Sequence, residues 1–372
     1  MHVLTISLGR NILREGREQE RMKLYAAHLS QLSIIVLTRK EHGYTDVVEE
    51  GNLHVYPTNS RNRFMMLVDA FRIGFRVLRV KDTDTARVVS AQDPLLIGWF
   101  AWVLSQVCDA HFHVQVHGDY FGSGWSGRSP VKRIQLFLAL LLLRRAPFIR
   151  VVSKRIKDSL TQRGIPAKKI TVLPIRPELE AFLPYTHVVR TTPPYTFLFI
   201  GRLAPEKDIL RIVRAFALVH REHPLTHLRI VGEGSERARI LGLVTSLGVR
   251  DAITLLPWTD AVGKEMAEAD IFLLASLHEA YALTLVEAMA VGLPLITTDV
   301  GCVGEVVQDG IHGLVVHEMD DEAYAEAMIH MIRDTAFRTQ CGTNGKETAR
   351  ALSESTAEEY AKAWVTALKP VS

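Results

Sequence analysis

The apolar residues of this chain fall into short strand-like runs that alternate with helical segments from end to end. Strands alternating with helices indicate βα units and parallel sheets. The first series of runs lies at 1–7, 33–38, 53–57, 87–90, 111–117, 149–153 and 170–173, and the second at 195–200, 225–231, 252–256, 270–275, 293–298 and 312–316. A proline-containing stretch, 184–194, separates the two series. We therefore predict an α/β protein with two doubly wound, Rossmann-like parallel sheets.

The length of the chain, 372 residues, exceeds what one hydrophobic core usually holds. We predict an N-terminal domain at 1–187, a second domain at 188–355 and a terminal helix at 356–372. That helix is apolar on one face around 356–368.

Cysteine is scarce, and its three positions show no paired or metal-ligand spacing. This argues against a disulfide scaffold or a zinc site and favours a reducing compartment. The first residues read as a strand and lack the charged start and long apolar stretch of a signal peptide. We therefore expect a cytoplasmic protein.

Two carboxylates eight residues apart, Glu279 and Glu287, flank a predicted helix start that follows the strand-like run 270–275. The amides of residues 281–284 would lie at the N-terminus of that helix, where free N–H groups and the helix dipole favour an anion such as a diphosphate. The carboxylates could accept hydrogen bonds from sugar or ribose hydroxyls. The residues alone are equally compatible with two solvated glutamates.

Two cations, Arg202 and Lys207, follow the strand-like run 195–200, together with Gly201. Ligands of open α/β sheets bind at the carboxyl ends of strands, where these cations could neutralise a departing diphosphate. Salt bridges to Glu206 and Asp208 are the alternative.

Together these segments resemble the family 4 glycosyltransferases, which are retaining enzymes of the GT-B fold. The resemblance rests on Gly201-Arg202-Leu203 with Glu206-Lys207, on the Glu279 to Glu287 spacing, and on the run from Gly292 to Gly301. It implies two Rossmann-like domains facing across a cleft, with the terminal helix crossing back to the first. The first domain would bind the acceptor and the second the nucleotide sugar.

The resemblance also implies roles for individual residues. Arg202 and Lys207 would hold the donor phosphates, Glu279 the transferred sugar and Glu287 the ribose. Backbone amides at 281–284 would bind phosphate, and Gly201 and Gly232 would border the donor. The cofactor-side residues are therefore Gly201, Tyr281, Ala282, Leu283, Thr284, Glu287 and Gly232. The donor would be a UDP- or GDP-linked sugar, with front-face attack, no carboxylate nucleophile and no metal.

In the first domain, strand alternation puts His113 and His117 on one face of the run 111–117, and His117 lies at its carboxyl end. By resemblance His117 would touch the donor sugar, whereas the alternative is a structural histidine. Asp119 would bind the acceptor or cap the next segment. Gly16 and Arg17 are the other acceptor-side candidates. This chain departs from the family at Ala280 and Ala282, where glycines are usual.

Gly232 and Gly234 also suggest a dinucleotide-binding loop, but Arg237 stands where the third glycine belongs. A dehydrogenase is therefore the weaker interpretation.

Charge divides unevenly along the chain: residues 1–187 hold 27 Lys and Arg against 16 Asp and Glu, and the remainder holds 17 against 25. This asymmetry predicts an anionic partner for the first domain. The basic and apolar segment from Arg61 to Lys81 predicts contact with an anionic membrane. The apolar run 134–143 is too short to span a bilayer and is either a buried helix, slightly favoured, or a membrane contact. We find no nucleic-acid recognition motif.

We therefore predict a retaining glycosyltransferase that moves a hexose-type sugar to a lipid-linked glycan in cell-envelope polysaccharide or glycolipid synthesis. It would work at the inner face of the cell membrane. The alternatives are a GT-B sugar-nucleotide epimerase or phosphorylase, and a non-catalytic nucleotide-sugar-binding membrane partner.

Overall fold

A computed structural model describes residues 1–79, 85–121 and 129–369 of the chain. Within these residues the protein forms two compact units. The first takes the chain as far as Arg176 and again from Thr356, and the second is Pro177–Ser355. Each unit is built on one sheet.

The sheet of the first unit has the strand order β3-β4-β2-β1-β5-β6-β7-β8. Its strands are β1 His2–Ser7, β2 Gln31–Val36, β3 Val48–Glu50, β4 Leu53–Pro57, β5 Arg87–Ala91, β6 His111–Val116, β7 Phe148–Val151 and β8 Ile170–Val172. The central strands are buried on both faces. The buried residues of β1 and β2 are largely apolar, whereas β6 also buries His113 and Gln115.

The edge strand β3 was not among the predicted strands, and it is the one antiparallel strand found in this sheet within the described residues. Its sequence, Val-Glu-Glu, is short and half exposed. A strand this short and polar contains no apolar run from which the sequence could predict it.

Helices cover both faces of the first sheet. They are α1 Arg17–Ala26, α2 Arg63–Leu78, α3 Leu96–Val107, α4 Pro130–Arg145, α5 Lys154–Gln162 and the terminal α12 Ala357–Ala367. Parallel strands are joined by right-handed crossovers, so α1, which leads from β1 to β2, lies on the face opposite α3, which leads from β5 to β6. Helix α3 packs between α2 and α4.

The second unit carries a parallel sheet of order β11-β10-β9-β12-β13-β14. Its strands are β9 Tyr195–Ile200, β10 Thr226–Val231, β11 Ile253–Leu256, β12 Ile271–Leu274, β13 Leu295–Thr298 and β14 Gly313–Val316. Its helices are α6 Ile209–Glu222, α7 Arg237–Ser246, α8 Val262–Ala267, α9 Leu283–Val291, α10 Asp321–Arg333 and α11 Thr335–Ser353.

The last helix belongs to the first unit, as the fold prediction expected. It opens with a capping box in which Thr356 and Glu359 satisfy each other's backbone amides. The indole of Trp364 then stacks on Tyr25 of α1 with ring centroids 4.8 Å apart. Apolar burial of this kind favours the return of the helix to the first core.

Residues 177–187, placed by the sequence analysis in the first domain, pack with the second unit. The amide of His187 donates to the carbonyl of Val291, 2.9 Å away, and Leu179 is fully buried.

Candidate functional site

The strand order of the second sheet reverses between β9 and β12, and this reversal defines the candidate site. The chain proceeds outward through β10 and β11 on one side and through β13 and β14 on the other. Ligands of open α/β sheets bind at such a point, outside the carboxyl ends of the strands. The loops that follow β9 and β12 contain Arg202, Lys207 and Glu279.

Lys207 and Glu279, 72 residues apart in the chain, form an ion pair at this point. The ammonium of Lys207 lies 2.5 Å from Oε1 of Glu279, and each side chain is less than a fifth exposed. The hydroxyl of Ser276 donates to the same oxygen at 2.7 Å. Both bonds go to Oε1, and no partner of Oε2 is found within the described residues, so Glu279 keeps an oxygen that can accept from a ligand.

The backbone fixes the spacing of the two loops. The amide of Leu277 donates to the carbonyl of Glu206 at 2.8 Å, and Thr298 donates its hydroxyl to the carbonyl of Ser276 at 2.7 Å. The pairing of Lys207 with Glu279 is therefore supported by two further hydrogen bonds.

Arg202 makes the salt bridge that was its alternative prediction. Its guanidinium pairs with the carboxylate of Glu206, and its side chain is 70% exposed. Asp208 pairs with Arg211 at 2.8 Å instead of with Lys207. The guanidinium of Arg202 is therefore largely exposed to solvent. An exposed ion pair of this kind contributes little to stability.

Helix α9 begins at Leu283, and Ala282 occupies the position before it with φ 65° and ψ 58°. Alanine has no side-chain oxygen that could cap the first turn. The first amides of a helix have no acceptor within it and carry the positive end of the dipole. The site therefore presents amide donors at 283 and 284, four and five residues after Glu279 in the chain.

Gly301 packs closely against the loop that precedes α9. It adopts φ 59°, and a Cβ atom there would lie 2.6 Å from the carbonyl oxygen of Tyr281. The next amide, that of Cys302, donates to the same carbonyl at 2.9 Å. The run that ends at Gly301 thus holds the start of α9 in place.

Gly232 brings the loop after β10 against the loop after β9. With φ 147°, it would place a Cβ only 1.9 Å from the carbonyl oxygen of Gly201. The amide of Leu203 then donates to the carbonyl of Glu233 at 2.8 Å. The glycines needed here explain the pattern that resembled a dinucleotide loop.

Glu287 lies one turn into α9 and is half-buried. Burial, with a smaller contribution from the charge of Glu178, raises the pKa of its carboxyl to about 7. No hydrogen bond or ion pair to Glu287 is found among the described residues. The protonation state of the Glu287 carboxyl near neutral pH is therefore sensitive to a bound ligand.

In the first unit, His117 follows β6 and belongs to a polar network. Its Nε2 lies 3.2 Å from Oε1 of Gln115, an oxygen that also accepts from Nη1 of Arg150 at 2.6 Å. Since a carbonyl oxygen only accepts, Nε2 of His117 carries the proton and Nδ1 is left as an acceptor. Burial first, then the charges of Arg150 and Arg21, lowers the pKa of His117 to about 3.

The other first-unit candidates lie at a helix start and in the loop after β6. Gly16 precedes α1 and Arg17 is its first residue, both exposed. Asp119 lies half-buried after β6. His113, which the alternation placed on the same face as His117, is fully buried and bonded through Nδ1 to Ser90 at 2.9 Å.

No role was predicted for Ser276, Gln115 or Arg150. Gln115 and Arg150 meet because β6 pairs with β7, whereas Ser276 bonds to Glu279 within the loop after β12. Trp258, two residues after β11, is 56% exposed. Its backbone neighbour Leu256 accepts from the amide of Gly232 at 3.1 Å. The sequence shows Trp258 only as a tryptophan after a strand-like run, and its exposed position at this edge of the sheet is seen in the structure.

Within residues 1–79, 85–121 and 129–369 no group of three or more His, Cys, Asp or Glu side chains could hold a metal ion. None of the helices in that part of the chain combines the length and the apolar character needed to cross a bilayer.

Comparisons with known proteins place these features in a family. The sequence profile of "Glycosyl transferases group 1" matches residues 188–348, and that of "Glycosyl transferase 4-like domain" matches residues 20–176. The chain belongs to the group 1 glycosyltransferases. The predicted family and the predicted GT-B fold class are confirmed.

Among relatives, the N-acetyl-alpha-D-glucosaminyl L-malate synthase of Bacillus anthracis is 33% identical over 150 residues, covering 40% of this chain and 39% of that protein. The chain spans less than half the length of the first curated relatives it matches.

Solved structures match the fold of this group 1 glycosyltransferase over nearly the whole chain. A sucrose-phosphate synthase from Thermosynechococcus elongatus superposes with TM-score 0.78 at 20% identity, covering 98% of this chain and 97% of that one. HepE of Anabaena, in complex with UDP and glucose, superposes with TM-score 0.73 at 15% identity, covering 98% and 99%.

Proposed function

We propose that this group 1 glycosyltransferase moves a hexose-type sugar, with retention of configuration, from a nucleotide diphosphate sugar to an acceptor. The observation that carries the proposal is the half-buried pair of Lys207 and Glu279 together with the first amides of α9, which begins four residues after Glu279. Cationic and amide donors there suit a diphosphate, and the carboxylate suits sugar hydroxyls. UDP is the first nucleotide to test, since HepE of Anabaena binds it.

The roles follow from the chemistry of each group. As the bond between the anomeric carbon and the phosphate oxygen breaks, negative charge grows on the diphosphate, and Lys207, Arg202 and the amides at 283 and 284 stabilise it. The acceptor hydroxyl attacks the same face of the sugar, and its proton passes to the departing phosphate oxygen. Arg202 would exchange its exposed partner Glu206 for phosphate.

Recognition groups surround that reaction. Glu279 would accept from sugar hydroxyls through Oε2, and Glu287 would accept from the ribose. Nδ1 of His117, the free acceptor of a neutral imidazole, would accept from a further sugar hydroxyl. These assignments, with Gly16, Arg17 and Asp119 on the acceptor side, are parts of the proposal. No metal takes part in it.

The acceptor is proposed to be a lipid-linked glycan at the cytoplasmic face of the membrane. The positive charge of residues 1–187 supports an anionic acceptor or surface. Within 61–79 the arginines Arg72, Arg76 and Arg79 line a groove of about 490 Å³ together with Phe75.

The test begins with a binding screen of UDP- and GDP-sugars, followed by transfer to a lipid-linked acceptor and determination of the anomeric configuration of the product by NMR. We expect the configuration of the donor to be retained. An inverted product would contradict the mechanism, and a product formed from the donor without an acceptor would instead indicate an isomerase.

A further inference from the structure

Helix α4 exposes an apolar face that the sequence did not distinguish from a buried helix. Ala139, Leu142 and Leu143 are fully buried, whereas Ile134 and Phe137 are 61% and 63% exposed. The apolar run 134–143 therefore divides between the core and the surface. Val131 and Leu138 are also exposed on this helix.

Helix α3 lies next to α4 and continues this surface. It contains no charged residue. Leu96, Val103 and Val107 are exposed along it. Its Phe100 meets Phe71 of α2 edge to face with ring centroids 5.9 Å apart, which joins α2 to the same layer.

The charges of these three helices have one sign. Segments 61–79, 96–107 and 130–145 hold nine Lys and Arg residues and a single carboxylate, Asp69. Asp69 is already engaged by the hydroxyl of Ser60 at 2.7 Å and by Arg72 at 3.5 Å. On the opposite face of the sheet, α1 and α12 together carry four basic and four acidic residues.

We propose that the outer face of α2, α3 and α4 docks on an anionic lipid bilayer, with Ile134 and Phe137 entering the headgroup layer. Exposed apolar side chains rimmed by Lys and Arg are the features of interfacial helices. The positive rim matches an anionic surface, and each basic residue close to it strengthens the attraction. A soluble protein partner with an acidic surface would not account for the uncharged centre on α3.

This inference extends the membrane contact in the proposed function from α2 to a three-helix face. It does not depend on sugar transfer, because lipid binding is measured without a donor. A chain that binds vesicles but transfers no sugar leaves this inference standing.

The experiment is vesicle flotation of the full chain with phosphatidylcholine alone and with phosphatidylcholine plus phosphatidylglycerol. We expect binding to the anionic vesicles only, weakened by salt. The variant I134S/F137S should bind them roughly tenfold or more weakly, because two apolar side chains no longer leave water.

The matched control is Leu225→Ser, which removes an equally exposed apolar side chain of the second unit. It should bind as the unmodified chain does. Circular dichroism and thermal unfolding of each variant separate a loss of binding from a loss of fold, and all the changed side chains are exposed.

Two results would overturn the proposal. One is equal flotation of I134S/F137S and the unmodified chain, or no flotation of either. The other is a dimer by light scattering that I134S/F137S converts to a monomer, since the face would then be covered by a second copy.

Discussion

Burial in the fold disfavours the charged form of the Glu287 carboxyl. Burial raises its pKa from 4.5 to about 7. A group with a raised acid pKa contributes stability that is complete below its ordinary pKa and is lost as pH rises through the folded value. The folded chain therefore pays most for an ionised Glu287 above pH 7, and a bound hydroxyl donor would offset that cost.

We expect the affinity for UDP-glucose to rise between pH 6 and pH 8, because ribose hydroxyls bind the carboxylate better than the acid. If binding lowers the pKa by about one unit, the affinity rises roughly fivefold over this range. Isothermal titration at several pH values measures it. Glu287→Gln should give a flat profile, and an unchanged slope in that variant would remove Glu287 from the site.

Residue types were readable from the sequence, but their contacts were not. The motifs identified Lys207 and Glu279, and chemistry assigned them to phosphate and sugar. That they touch each other depends on β9 lying beside β12, which no spacing within either loop reveals. The same holds for Gln115 and Arg150, which meet because β6 pairs with β7.

At the scale of elements, the start of α9 is a strained point of the candidate site. Ala282 occupies the left-handed region, which costs a residue with a Cβ roughly 1–2 kcal/mol relative to glycine. Ala280, the other departure from the family pattern, does not have a positive φ. The glycine preference therefore has a physical basis at one of the two positions.

Ala282→Gly should leave the free energy of unfolding unchanged or raise it by up to about 1 kcal/mol, since relief of strain offsets the added flexibility. Urea denaturation measures the change. Ala327→Gly, in the interior of α10, is the control and should lose about 1 kcal/mol. Equal losses in the two variants would show that Ala282 is not strained.

At the scale of the whole molecule, the alternation of apolar runs was sufficient to predict two wound sheets because buried parallel strands are apolar throughout. The edge strand β3 escaped prediction because it is short and polar. The return of α12 followed from the family resemblance, and the contact of Trp364 with Tyr25 supplies its physical cause.

The charge of the chain is distributed unevenly between its two halves. Nine of the 27 Lys and Arg residues before residue 188 lie in 61–79 and 130–145, against one carboxylate there, while the acidic remainder holds the proposed donor site. Lipid attraction and phosphate binding thus depend on different residues and can be removed separately.

The central claim is that Lys207 binds the donor diphosphate. The most direct measurement is the affinity of UDP and UDP-glucose for Lys207→Met, with Lys264→Met, an exposed lysine of the same unit, as the control. Loss of a charge-assisted contact should weaken both ligands roughly tenfold to a hundredfold and reduce turnover. Unchanged affinity in a folded Lys207→Met protein would contradict the account.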